Sequence, residues 1–135
     1  MSKGYGGYAD LRKEDDTMLM YSYCSYNVNL DHWREMQAAE DGELWIERNA
    51  LIEPEIHEHI KRMPSGRKQL QVKRIKKEAP VGELYDAGKI TVKNASGTWK
   101  TLGQGVDMIA VSILHKLFDE YQETGQIPQR VGWFV

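Results

Sequence analysis

Residues 105–124, GVDMIAVSILHKLFDEYQET, carry a long and regular apolar pattern. Their apolar side chains recur three or four residues apart, a spacing that places them on one face of an α-helix. Gly125 follows this segment and Pro128 lies just beyond it, as at many helix C termini. We therefore predict a long C-terminal helix with one broad buried face, which comprises Val106, Ile109, Ala110, Ile113, Leu114, Leu117, Phe118 and Tyr121.

The segment before this helix alternates polar and apolar residues, which is typical of a β-strand. Residues 89–93 read KITVK, residues 94–97 supply turn-forming side chains, and residues 98–102 can return as a second strand. This arrangement predicts a β-hairpin over residues 89–102.

Three further segments have the composition of strands. Residues 17–28, TMLMYSYCSYNV, are uncharged and rich in tyrosine, so both faces can be buried and a central strand is predicted. Residues 43–48 (ELWIER) and 68–75 (KQLQVKRI) each place alternate apolar residues on one face. The C-terminal Trp133-Phe134-Val135 either packs as a last strand or forms an interface, and we favour packing.

Two shorter helices are also predicted. Asn29 can cap a helix over residues 30–39, which Gly42 follows. Pro54 suits a first helical turn, and apolar residues at i, i+4 and i+7 follow it, namely Ile56, Ile60 and Met63.

Together these elements predict a single α+β domain over residues 17–135. Its mainly antiparallel sheet of four to five strands packs against the long C-terminal helix, with one or two shorter helices at its edges. Residues 1–16 are predicted to form a flexible leader, because they combine Gly4, Gly6 and Gly7 with a charged run at 12–16.

Composition limits the class of protein. A chain of 135 residues with 41% hydrophobic and 28% charged residues can bury a core, and its net charge of −2 does not favour non-specific binding to DNA. Cys24 is the single cysteine, which excludes an intramolecular disulfide and a cysteine-based zinc site. No stretch resembles a secretion signal or a transmembrane helix, so we expect a cytoplasmic location and no membrane partner.

Charge is sorted into two opposed blocks around residues 53–77, EPEIHEHIKRMPSGRKQLQVKRIKK. The acidic block, residues 31–58, contains only two bases, Arg34 and Arg48. Its acids are Asp31, Glu35, Glu40, Asp41, Glu43, Glu47, Glu53, Glu55 and Glu58. The basic block, residues 61–77, contains no acid and the bases Lys61, Arg62, Arg67, Lys68, Lys73, Arg74, Lys76 and Lys77. This separation favours docking to a charged partner.

Each block supplies candidate contact residues. The turn at residues 64–68 combines a hydroxyl, backbone amides and two cations, which can hold an anion, although a simple turn with solvated charges explains the same residues. The candidate anion or partner contacts are Ser65, Gly66, Arg67, Lys68, Lys73 and Arg74. The candidate acidic partner surface comprises Glu40, Asp41, Glu43 and Glu47.

The other motifs do not predict chemistry. On the predicted helix His57 and His59 point to opposite flanks, so we predict no metal site there. Gly103-Gln104-Gly105 lacks the third glycine of a dinucleotide-binding turn. Cys24 lies within an apolar strand, where a buried structural cysteine is the simplest interpretation. No catalytic residue and no cofactor are predicted.

Three functional hypotheses follow. The leading one is a small, intracellular, non-enzymatic domain that binds a protein partner through the acidic and basic surfaces, for example an immunity-type protein that neutralises a cognate toxin. The first alternative is a nucleic-acid-binding protein that uses residues 61–77. The second alternative is an enzyme or sensor that binds an anionic small molecule at the 64–68 turn. The oligomeric state is not predicted.

Overall fold

The computed structural model describes residues 3–135, which form an α+β fold. The strands are β1 (Tyr5–Glu14), β2 (Met18–Asn27), β3 (Gly42–Glu47), β4 (Glu55–Arg62), β5 (Lys68–Ile75), β6 (Ile90–Lys93) and β7 (Arg130–Phe134). The helices are α1 (Trp33–Ala38), α2 (Val81–Asp86) and α3 (Met108–Thr124), and a short 3-10 turn spans Arg48–Ala50. Five strands form an antiparallel sheet in the order β6-β3-β2-β1-β7, and β4 and β5 form a separate two-stranded sheet.

Helix α3 covers one face of the five-stranded sheet and closes the core. The buried residues of α3 pack against alternate residues of the strands, such as Leu19, Tyr21 and Tyr23 of β2. The predicted C-terminal helix and the predicted central strand are therefore both confirmed. The helix begins at Met108 because the side chain of Asp107 caps it, accepting the backbone N–H of Ile109 at 3.0 Å.

The flexible leader predicted for residues 1–16 is wrong over residues 5–14, which form β1 in the interior of the sheet. The glycines there permit close approach rather than flexibility. A Cβ atom on Gly7 would lie 2.1 Å from the carbonyl oxygen of Cys24 and 2.8 Å from Cγ2 of Ile109. Residues 1 and 2 of the expected leader lie outside the described residues.

The hairpin predicted over residues 89–102 is also wrong. Strand β6 forms, but it pairs with β3 from Glu43↔Lys93 to Ile46↔Ile90. The chain after β6 instead surrounds the start of α3. Asn94 accepts the N–H of Asp107, Thr98 donates to the Asp107 carboxylate, and Thr101 forms a single bridge to Asp107. The need to satisfy a buried carboxylate therefore prevails over the alternating pattern.

The helix predicted after Pro54 is replaced by strand β4, which pairs with β5 over eight residue pairs without a register shift. Ile56 and Ile60 are four residues apart, a spacing that places side chains on one face of a strand as well as of a helix. The deciding feature is β5, whose Leu70 lies directly opposite Ile60. We call this two-stranded sheet with its turn, residues 55–75, the arm.

The remaining elements differ from the predictions in their bounds or in their details. The helix expected at residues 30–39 is limited to α1, and its N-cap residue is His32 rather than Asn29. The chain between β5 and β6 contains α2, whose Val81 is buried. Trp133 and Phe134 lie on edge strand β7 beside β1, which confirms the expected last strand, but packing holds only in part because Phe134 is 60% and Val135 38% exposed. Within residues 3–135, no helix is long and apolar enough to cross a membrane.

Candidate functional site

The arm extends from the body as an exposed two-stranded ribbon. Every residue of β4 and every residue of β5 except Gln71 is exposed. Eight paired residues at about 3.3 Å each give the ribbon a length of about 26 Å. A two-stranded hairpin with nothing packed on it is only marginally stable in water, so an arm of this length is suited to contact with another surface.

One face of the arm is apolar. Because side chains alternate along each strand, Ile56 and Ile60 of β4 share a face with Leu70 and Val72 of β5. Their exposed fractions are 54%, 67%, 58% and 54%, respectively. Full burial of such a side chain contributes about 1.5–3 kcal/mol, so covering all of them supplies a substantial driving force for docking. We call this surface the apolar face of the arm.

Charged residues flank the apolar face. Arg62 and Lys68 form a directly opposed pair near the turn, and Arg74 lies opposite Ile56 near the body. Glu58, opposite Val72, is the acid on this face. Three cations and one carboxylate thus share the face with the apolar residues, which gives it a positive balance, although Arg74 also donates to the Glu123 carbonyl oxygen at 3.3 Å.

The opposite face of the arm is polar and carries both histidines of the His57-Glu58-His59 motif. The prediction that His57 and His59 point to opposite flanks is wrong, because β4 is a strand and residues two apart share a face. His57 Nε2 lies 2.9 Å from Glu55 Oε1, which engages that carboxylate. Across residues 3–135, no group of three or more potential ligands is placed to hold a metal ion.

The predicted anion contacts are distributed along the arm rather than gathered in one pocket. Ser65, Gly66 and Arg67 lie in the exposed turn, where Gly66 has a φ of 85° and donates its N–H to the Met63 carbonyl oxygen at 2.9 Å. That turn therefore uses one of its amides internally, which weakens the case for an anion pocket there. The basic residues of β5 occupy both faces, since Lys68 and Arg74 lie on the apolar face and Lys73 lies on the polar face.

The root of the arm is fixed to α3. Lys76, the residue after β5, lies 3.2 Å from Asp119 and 3.3 Å from Glu123 on the helix. The hydrogen bonds to these two carboxylates raise the pKa of Lys76 above its ordinary value. On the other side of the root, the Tyr121 hydroxyl donates to the Glu53 carboxylate. The arm therefore leaves the body in a defined direction.

The predicted acidic partner residues have local hydrogen-bond or ion-pair partners in most cases. Glu40 accepts from Ser22 at 3.0 Å and from Arg12 at 3.3 Å, and burial raises its pKa above the ordinary value. Asp41 accepts the N–H of Ser96 at 2.9 Å. Burial raises the pKa of Asp41, but its hydrogen bonds outweigh this and leave it lowered.

The other two acids lie on the face of the sheet opposite α3. Along β3, Leu44 and Ile46 are buried, and Glu43, Trp45 and Glu47 alternate with them. Glu43 lies 3.4 Å from Lys93. Three of the four predicted acidic partner residues thus have nearby polar partners, so these four do not form a single uncompensated patch.

The apolar face was only partly visible in the sequence. The alternation of Leu70 and Val72 identified one half of it, since both were expected on one face of a strand. Ile56 and Ile60 were assigned to a helix instead. The signal that identifies all four is cross-strand pairing, because two alternating segments joined by Pro64-Ser65-Gly66 can form a hairpin with one apolar face.

Comparison with known proteins adds no relative. The chain matches no known protein family, no curated protein and no solved structure.

Proposed function

We propose that this protein is a protein-binding domain that docks its partner through the apolar face of the arm. The observation that supports this proposal is the exposure of Ile56, Ile60, Leu70 and Val72 on one side of a ribbon that contributes nothing to the core. Contiguous exposed apolar surface with a polar rim is characteristic of protein interaction sites. Partner binding would also supply the third layer that an isolated hairpin lacks.

The charges on the arm support a partner with an acidic binding surface. The apolar face carries Arg62, Lys68 and Arg74 against the single acid Glu58. A partner with an acidic rim around an apolar groove complements this pattern. Packing the same face against a second copy of the chain would bring the cations together, which opposes self-association.

The proposed setting is the cytoplasm, where Cys24 would remain the free, buried thiol that the structure contains. The proposal assigns the chain no catalytic role. Neutralisation of a toxin is one form that such binding can take, and it stays a prediction.

The test compares two paired substitutions on opposite faces of the arm. Ile60→Ser/Leu70→Ser removes a directly opposed apolar pair, and the control His59→Ser/Gln71→Ser changes the adjacent pair on the polar face. The unaltered chain and the first variant would each be used to capture proteins from a lysate of the source organism. Proteins that only the unaltered chain retains would then be purified and titrated. We expect the selected partner to be acidic at its binding surface, and the apolar-face variant to bind it at least about tenfold more weakly.

A charge reversal on the same face provides a second test, in case the serine substitutions disrupt the hairpin itself. Lys68→Glu keeps all four apolar side chains of this face, and we expect it to weaken binding and to reduce the salt dependence of the association rate. The proposal is wrong if every retained protein binds the apolar-face variant and the polar-face control equally well.

A second candidate function is supported by the end of the arm. Lys61, Arg62, Arg67 and Lys68 lie at or beside the turn, and no acid lies between residues 59 and 77. A ribbon with a cationic end can contact nucleic-acid phosphates. This candidate requires binding to a duplex that weakens steeply with salt, and Arg67→Gln/Lys68→Gln should reduce the slope of log K against log salt by about 2. Flat titrations at low salt would remove it.

A further inference from the structure

A groove lies where the root of the arm meets α3. Its volume is about 350 Å³, and it is bounded by residues 77–79, by the exposed side of α3 and by Trp133 of β7. Ala79 and Phe118 are buried beneath the groove, and the partly exposed Trp133 supplies its aromatic wall. Its volume falls within the range of sites that bind small molecules.

Basic side chains reach the groove from two sides. Lys77 comes from the root of the arm, and His115 and Lys116 come from α3. Within residues 3–135, neither Lys77 nor Lys116 has a carboxylate within ion-pair distance, although Lys76 is paired with two. Both lysines can therefore interact with an anion without first giving up a salt bridge.

Two carboxylates also line the groove, Glu78 and Asp119. Asp119 lies 3.2 Å from Lys76 Nζ, so its charge is compensated by a cation that does not line the groove. Glu78 alone then opposes the two lysines. The balance inside the groove is positive, which favours an anionic ligand over a cationic one.

The position of Lys77 is set before any ligand arrives. Its backbone N–H donates to Gln122 at 2.6 Å and its carbonyl oxygen accepts from Gln122 at 2.7 Å. Trp133 provides an aromatic wall, and its ring lies 6.3 Å from that of Tyr5 between centroids. A backbone fixed at one wall and an aromatic ring at another reduce the ordering that binding requires.

We propose that this groove binds a small organic anion, with its charged group between Lys77 and Lys116 and its ring or apolar part against Trp133. This site is separate from the apolar face of the arm, and the inference does not depend on docking of a protein partner there. The second sequence-based alternative placed an anionic ligand at the 64–68 turn. The present proposal moves that chemistry to the groove at the root of the arm.

The test is an NMR titration of the full chain with phenyl phosphate. Inorganic phosphate and phenol serve as probes that carry only the charge or only the ring. Four tryptophans are present, and the indole N–H of Trp133 reports on the groove while that of Trp45 reports on the opposite face of the sheet. We expect saturable shifts at Trp133 and not at Trp45, with phenyl phosphate binding at least about fivefold more tightly than either partial probe.

Two lysine variants complete the design. Lys116→Gln should weaken phenyl phosphate binding about fivefold to tenfold, and Lys100→Gln, an exposed lysine outside the groove, should not change it. Absence of saturable shifts at about 10 mM phenyl phosphate overturns the inference, as does equal binding by the Lys116→Gln variant. Ile60→Ser/Leu70→Ser should bind phenyl phosphate normally, so failure of the docking proposal and failure of this inference are distinguishable.

Discussion

Gln122 of α3 holds the backbone of Lys77 through two hydrogen bonds, one to the N–H and one to the carbonyl oxygen. The side chain of Gln122 is almost completely buried, and both polar groups of its amide form hydrogen bonds with one residue, Lys77. This contact joins the long helix to the root of the arm and to one wall of the groove.

Substitution of Gln122 by methionine should loosen the root of the arm. The change keeps the volume and removes both hydrogen bonds, leaving the Lys77 backbone without these partners. We expect a loss of about 1–3 kcal/mol in the free energy of unfolding, measured by urea denaturation. Amide hydrogen exchange in residues 55–75 should also accelerate. Gln126→Ala, an exposed change after α3, should affect neither, and unchanged exchange in the arm of Gln122→Met would contradict the expectation.

Gly7 should tolerate no side chain. In Gly7→Ala the added methyl group would lie 2.1 Å from the carbonyl oxygen of Cys24 and 2.8 Å from Ile109, so β1, β2 or α3 must move. We expect a loss of at least about 2 kcal/mol in the free energy of unfolding. The control is Gly82→Ala in α2, where no atom outside the adjacent residues and the backbone of the helix itself lies within 4 Å of the added Cβ. That change should be neutral or stabilising by about 0.5–1 kcal/mol, because alanine favours the helix.

The elements that were predicted correctly are those whose residue pattern is compatible with only one type of secondary structure. The apolar stripe of α3 fits a helix alone, and the uncharged tyrosine-rich segment fits a buried strand, so both were found. Glycines such as Gly6 and Gly7 can indicate either a flexible segment or a close approach of neighbouring strands, and only the packing around them distinguishes the two. Ile56 and Ile60 were equally ambiguous, since a spacing of four residues suits a helix and a strand. This ambiguity concealed the candidate site, because the apolar face exists only when β4 pairs with β5.

Asp107 should make stability depend on pH in an unusual direction. Its buried carboxylate accepts hydrogen bonds from Tyr23 at 3.0 Å and Thr98 at 3.1 Å, yet burial outweighs them and raises its pKa above the ordinary 3.8. Between 3.8 and the folded-state value, the native chain binds more protons at this site than the unfolded chain. The contribution of Asp107 to the free energy of unfolding therefore falls as pH rises through that window.

Asp107→Asn should remove this contribution. Urea denaturation of both proteins from about pH 4 to about pH 7 measures the difference in their free energies of unfolding. We expect that difference to shift in favour of the asparagine variant as pH rises. Asp16→Asn, an exposed change, provides the control for the loss of one carboxylate. A difference between the native protein and Asp107→Asn that stays constant with pH would show that the carboxylate does not titrate in this range.

Removal of the arm should leave the body folded. Glu55 and Ile75 are directly opposed, so a short glycine-serine linker between Pro54 and Lys76 can close the chain in place of residues 55–75. The anchoring contacts of Lys76 with α3 remain, and none of the buried core residues is removed. We expect cooperative thermal unfolding, retained near-ultraviolet circular dichroism and a free energy of unfolding within about 1 kcal/mol of that of the full chain. The shortened chain should keep phenyl phosphate binding in the groove and lose the protein partner. If it instead unfolds or aggregates, the arm contributes to the stability of the body, and its exposed apolar residues cannot be assigned to docking alone.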